Sequence, residues 1–204
     1  MRLFDVLGPV MIGPSSSHTA GAAKIGYTAQ KLLGDLPVEA DIGLYGSFAT
    51  TGKGHGTDRA LVAGLLGLHP DDPRLPDSFA LAAAQGMKFT IHPVELRAAH
   101  PNTTVLTLKS KAGRVLSMQA ASVGGGRIRV TEIGLDVIDH GAGIPADELP
   151  HVVERFYRGR FAREQAVPGV GLGLSITQRI LAAHEGELTL ESEGSGKGTI
   201  ARMV

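Results

Sequence analysis

Glu132-Ile133-Gly134-Leu135-Asp136-Val137-Ile138-Asp139 is the stretch on which the reading of this chain turns. Upstream of it lie Gly13-Pro14-Ser15-Ser16-Ser17-His18-Thr19 and Gly52-Lys53-Gly54-His55-Gly56-Thr57-Asp58. Downstream lie Asp139-His140-Gly141-Ala142-Gly143-Ile144-Pro145 and Gly169-Val170-Gly171-Leu172-Gly173-Leu174. The two sets serve unrelated chemistries. No Pro/Ser-rich linker separates them: an upstream strand reaching Ile133 runs straight into a short apolar strand over 135–139. The junction is therefore expected to be one continuous extended segment or a tight turn, with 1–133 and 134–204 as two domains.

Bulk properties narrow the classes. The 204 residues carry 20 basic and 20 acidic side chains, which argues against broad electrostatic binding of nucleic acid or an anionic membrane. No apolar run approaches membrane-spanning length, and Met1-Arg2-Leu3-Phe4-Asp5 makes a poor secretory signal, so a cytoplasmic location is expected. Trp is absent and aromatics make up 4%, so the core must rest on Ala, Val, Leu and Ile. Cysteine is absent, which removes a thiolate nucleophile, a disulfide and thiolate ligation of a metal or cluster by these residues; no metal ligand set is expected.

The expected fold class is α+β. Residues 15–34 read as a serine-capped helix with Ile25, Ala29, Leu32 and Leu33 as its apolar stripe. A strand is expected over 37–48, a short helix over 57–67, and a proline-rich loop over 69–76. Strands at 87–92, 103–110, 114–122 and 127–133 suggest antiparallel neighbours joined by short turns. Beyond the junction come a buried strand (135–139), a helix (146–157), a Gly/Arg-rich loop (159–173), a helix (173–184) carrying Leu174, Ile176, Ile180 and Leu181, and strands at 187–192 and 198–204.

Ser15, Ser16 and Ser17 with His18 and Thr19 place hydroxyls and free backbone N–H groups at a helix start, where the dipole favours a carboxylate or phosphate. Plain capping explains the serines equally well. In Gly46–Asp58 the glycines permit close backbone approach, Lys53 can pair with an anion, and His55 can move a proton near neutral pH. Asp58 can orient His55 or cap the next helix. His100-Pro101-Asn102-Thr103 is a third polar knot that a simple turn would also explain, and Ser122–Gly126 suits either a loop or an anion-facing backbone.

These stretches, with Ser122–Ile133, resemble in order the beta chain or domain of bacterial iron–sulfur L-serine dehydratases. That resemblance implies conversion of L-serine to pyruvate and ammonia. It also implies a fold like the allosteric substrate-binding domain of some phosphoglycerate dehydrogenases: an antiparallel or mixed sheet with packed helices. His55 and Lys53 would be catalytic, His55 as general base; Ser15, Ser16, Ser17, His18, Thr19, Asp58 and Asn102 would bind substrate. The family's [4Fe–4S] cluster sits in a cysteine-bearing alpha part, so a partner chain would supply it. The ACT domain that usually ends the beta chain has no counterpart, the tail after residue 134 standing in its place. A homodimer is a compatible assembly.

The downstream set resembles the C-terminal half of a sensor histidine kinase ATP-binding domain of the Bergerat type: a truncated α/β-sandwich. Glu154-Arg155-Phe156-Tyr157-Arg158 and Gly196-Lys197-Gly198-Thr199 strengthen the likeness. By that resemblance Asp139 would read adenine, Gly141, Gly143, Gly169, Gly171 and Gly173 would line ATP, and 159–168 would be a lid. The family's Asn-rich, magnesium-holding helix has no counterpart, so kinase turnover is not expected. The whole reads as a chimera or fusion. Its leading function is as a component of an L-serine dehydratase; the alternatives are a non-catalytic serine or carboxylate sensor and an ATP-binding signalling module.

Overall fold

A computed structural model describes residues 9–194 and 196–204, apart from the side chain of Lys53. It has two compact units, the first ending at Ile133 and the second beginning at Gly134. The architecture is α+β, with mixed strand pairing and packed helices.

The first unit begins with a capped wide turn. Ser15 is extended, and its Oγ accepts the His18 N–H at 3.1 Å. The π-type turn Ser16–Gly21 follows and runs directly into α1 (Ala22–Leu33). Ile25, Ala29 and Leu33 are buried as the stripe requires, but Leu32 lies off the stripe and is exposed. β1 (Pro37–Leu44) stops short of residue 48. The Ser47 N–H turns to the Pro101 carbonyl at 2.7 Å, and α2 (Ser47–His55) starts there. Most of the glycine-rich stretch Gly46–Asp58 is thus helical. Gly56, at φ 67°, supplies the left-handed residue that ends α2 and lets α3 (Thr57–Leu65) begin at once.

α4 (Ser78–Ala84) carries no sequence expectation, because seven Ala-rich residues show too little periodicity. β2 (Lys88–Pro93), β3 (Thr103–Ser110), β4 (Val115–Gly124) and β5 (Arg127–Asp139) follow. In this unit the strand order is β2-β1-β3-β4-β5. β1 pairs antiparallel with β3, and β3 with β4. β2 does not neighbour β3 as expected: it pairs with β1, in parallel, from Glu39–Lys88 to Leu44–Pro93. The cause is the connection: α2, α3 and α4 return the chain to the end from which β1 started. Ile25, Leu33, Ile42, Leu61, Leu106 and Met118 are fully buried, so the core does rest on aliphatic side chains.

In the second unit α5 (Arg160–Glu164), α6 (Gly173–Ala183), β6 (Leu188–Glu191) and β7 (Thr199–Met203) join the downstream part of β5. β7 pairs antiparallel with both β5 and β6. Strand β5 runs from Arg127 to Asp139 without interruption, so the junction is a continuous extended segment. Residues 135–138 are half-buried rather than buried. Residues 146–157 are not an α-helix: Pro150 lies within a short 3-10 turn, Leu149–His151, and the flanking residues form turns. The 159–173 loop contains α5. On α6 Leu174 and Leu181 are half-buried, whereas Ile176 and Ile180 are 50% and 57% exposed.

α1 and α3 pack backbone to backbone. A methyl group on Gly26 would lie 2.2 Å from the Leu61 carbonyl oxygen, and one on Gly64 would lie 2.1 Å from that of Ala23. Gly26→Ala and Gly64→Ala should each lower stability by about 1–3 kcal/mol or more. Gly54→Ala, on α2 with open space around it, should be neutral or stabilising by up to about 1 kcal/mol. Urea denaturation midpoints check the contrast.

Candidate functional site

The start of α1 meets one face of α2. Ser47, Thr51 and His55 stand four residues apart on that helix, which aligns them. The His18 Nε2 lies 3.1 Å from both Ser47 Oγ and Thr51 Oγ1. Thr51 donates its hydroxyl proton to the Ser47 carbonyl at 2.9 Å, so its oxygen accepts from the ring. The proton of neutral His18 is thereby assigned to Nε2, leaving the Nδ1 lone pair toward Ser17 Oγ at 3.4 Å. His55 is oriented the other way. Its Nδ1 faces the Thr51 carbonyl at 3.1 Å and must donate, so Nε2 carries the lone pair.

The His18 and His55 rings are 5.1 Å apart. Thr19 donates to the His55 carbonyl at 3.0 Å, tying the two segments together, and the Phe48 ring meets His18 edge-on at 5.3 Å. Ser15 and Ser17 hydroxyls are 3.4 Å apart, and Ser16 is half-buried in the same turn. Burial lowers the His18 pKa; His55 lowers it further by charge repulsion, and the Ser47 hydrogen bond opposes both. These shifts favour the neutral form of His18, which a hydroxyl-rich face surrounds.

Other proposed residues lie elsewhere. The Lys53 side chain is outside the described residues. Asp58 does not orient His55: its Oδ1 accepts the Arg59 N–H at 2.8 Å, and the side chain lines a separate cavity with Phe79 and Phe89. Asn102 donates weakly to the Ser122 carbonyl at 3.5 Å, in the turn whose Pro101 carbonyl holds the start of α2. Its backbone N–H donates to His100 Nδ1 at 3.1 Å, and among the described residues no hydrogen bond joins Asn102 to His18 or His55. Ser47 and Thr51 escaped sequence reasoning. Their signal was the spacing 47, 51, 55, visible only if the stretch is read as a helix.

In the second unit the Asp139 Oδ1 is engaged by the Gly141 N–H at 2.6 Å. The Gly141 and Ala142 carbonyls accept N–H groups of Gly198 and Gly196, and Ser192 Oγ bridges the Ile144 N–H and the Gly198 carbonyl, each at 2.8 Å. Gly143 lies against Gly194. Gly171 is tied instead to Phe156, whose N–H it accepts at 2.9 Å; Gly169 is exposed and Gly173 opens α6. Among the described residues no hydrogen bond joins the Asp139–Gly143 loop to the Gly169–Gly173 loop. Residues 159–168 are anchored by Arg160, which donates to the buried Glu148 and to Asp147, both at 2.8 Å. Among the described residues no group of His, Asp and Glu side chains is placed to hold a metal ion, and no helix is long and apolar enough to cross a membrane.

Comparison with known proteins finds two families along the chain. Residues 3–82 match the family model described as serine dehydratase beta chain. Residues 107–204 match that of histidine kinase-, DNA gyrase B- and HSP90-like ATPases. The chain is fusion-like. It is 45% identical over 131 residues to the probable L-serine dehydratase beta chain of Bacillus subtilis (strain 168), covering 64% of this chain and 59% of that protein. It is 43% identical over 131 residues to the L-serine dehydratase beta chain of Peptoniphilus asaccharolyticus, with the same coverage. The kinase likeness includes the sensor histidine kinase YkoH of B. subtilis, 46% identical over 69 residues, which are 34% of this chain and 15% of that protein. The chain thus spans about 59% of the length of the beta chains it matches.

Two histidines should titrate on opposite sides of the ordinary value of about 6.5. His92 is raised by hydrogen bonding to Asp41 and then by the Pro93 carbonyl. Both its ring nitrogens face acceptors, Nε2 at 3.0 Å from Asp41 Oδ2 and Nδ1 at 3.2 Å from Pro93, as the imidazolium requires. For His18 the unfolded chain binds the proton more readily, so its contribution is complete above about pH 6.5 and falls away as pH drops through the lowered folded pKa. For His92 the sign reverses: the contribution is complete below about pH 6.5 and is lost as pH rises through the raised pKa. Imidazole NMR titration should give a lower midpoint for His18 than for His92; the reverse order would contradict the assigned contacts.

Proposed function

We propose that the first unit is a beta-type component of an L-serine dehydratase and supplies the substrate-side residues to a cysteine-bearing partner chain. The observation that supports this most is the convergence of His18 and His55, 5.1 Å apart, on the hydroxyls of Ser17, Ser47 and Thr51. The likeness of this part of the chain to serine dehydratase beta chains points the same way. The substrate, the partner and a cytoplasmic setting all belong to this reading.

The chemistry asked of this chain is limited. L-Serine must lose its Cα proton and its β-hydroxyl, which leave together as water; the resulting enamine tautomerises to an imine and takes up water to give pyruvate and ammonia. In this reading the substrate carboxylate lies at the start of the turn before α1, among the Ser15, Ser16 and Ser17 hydroxyls and backbone N–H groups. His55 Nε2, which makes no hydrogen bond among the described residues, takes the Cα proton. Neutral His18 keeps positive charge away from His55, so His55 can accept that proton. Iron–sulfur clusters are held by thiolates, and the chain has no cysteine, so its residues do not fit a cluster. Departure of the hydroxyl is assigned to no residue of this chain.

ATP with magnesium is not part of this reading, whose supporting contacts all lie in the first unit. The chain combined with a cluster-bearing dehydratase subunit should form pyruvate from L-serine. His55→Ala should lower kcat by roughly 10²–10⁴-fold with the complex intact by size-exclusion chromatography. Undiminished turnover would remove His55 from the mechanism.

A further inference from the structure

We propose that the first unit holds a second ligand site, in the cavity bounded by α2, α3, α4 and the ends of β1 and β2, which takes a small organic ammonium ion with an apolar body. The cavity measures about 470 Å³, within the range of small-molecule sites. Its walls are mostly apolar: Leu44, Phe48, Phe79, Phe89 and Ile91. Asp58 places a single carboxylate among them.

That carboxylate is the informative group. It sits in the first turn of α3, a common place for an acidic side chain. A surface position would satisfy that preference alone; a wall of phenyl rings is not needed for it. Among the described residues Asp58 forms no ion pair. The neighbouring cation is committed elsewhere: the Arg59 guanidinium donates to the Pro76 carbonyl and lies 5.0 Å over the Phe79 ring. His92 also lines the cavity, but its charge is matched by Asp41. Asp58 is thus the one acidic residue in the cavity lining, and among the described residues no cation pairs with it.

A carboxylate among aromatic rings is complementary to an ammonium group, through a charge-assisted hydrogen bond and cation–π attraction. Phe79 and Phe89, 5.0 Å apart and tilted by 49°, and the remaining aliphatic wall suit a phenyl or branched alkyl body. Phe48 forms the partition: it lines this cavity and touches His18 with its edge on the other side. The site is thus distinct from the histidine cluster and stands whether or not the dehydratase reading holds.

The test uses the full chain and three probes of one shape: 2-phenylethylammonium, 2-phenylethanol and 3-phenylpropanoate, followed by ligand-observed saturation-transfer NMR. The ammonium should bind at millimolar concentration or below, the alcohol more weakly, and the carboxylate not at all. Asp58→Asn, which preserves shape, should weaken the ammonium by about tenfold or more with an unchanged thermal melt. Excess L-serine should leave the probe bound. Equal binding of the three probes, full affinity in the Asp58→Asn variant, no binding of the ammonium, or its displacement by L-serine would each overturn the proposal.

Discussion

The first unit depends on the contact between α1 and α3, where two glycines let the helix backbones touch. Gly26 and Gly64 each approach a carbonyl of the opposite helix more closely than any side chain permits. α2 leads directly into α3 through Gly56, so fixing α3 against α1 also fixes α2 against the turn that precedes α1. His18 comes from one of these segments, and Ser47, Thr51 and His55 come from the other. A helix–helix contact with no reactive group in it thereby sets the spacing of the reactive groups. The Pro101 carbonyl adds a second constraint by capturing the N–H that starts α2.

Much of the frame was legible because its signals are strong and local. The serine cap, the aliphatic stripe of α1 and the alternating strands β3 and β4 follow from side-chain chemistry and period. The errors have physical causes. Gly52 and Gly54 are poor helix formers, yet α2 forms with its start held from outside by the Pro101 carbonyl. The helix expected at 146–157 does not form, because Pro150 lacks the N–H that an intrahelical hydrogen bond needs. Asp58 was paired with His55 by closeness in sequence, but the break at Gly56 sends the two side chains to different places. The histidine–hydroxyl cluster was only half visible, since Ser47 and Thr51 acquire meaning only through helical spacing.

The second unit has a different balance. Its three paired strand segments and α6 leave Ile176 and Ile180 largely exposed, with Phe156 and Val170 exposed as well. Its loops are nonetheless well connected. Arg160 holds its segment through the buried Glu148, and Ser192 ties the Asp139–Ile144 loop to Gly198. The unit is thus stitched by polar contacts more than by a core. That the junction lies inside a single strand, β5, explains why no linker composition marks it.

The most direct measurement is the imidazole NMR spectrum of the chain during titration with L-serine. If the cluster at the start of α1 is the substrate side, His18 and His55 signals should shift together and saturate, while His140, His151 and His184 of the second unit stay still. Unmoved His18 and His55 signals at saturating serine, or shifts confined to the second unit, would contradict it.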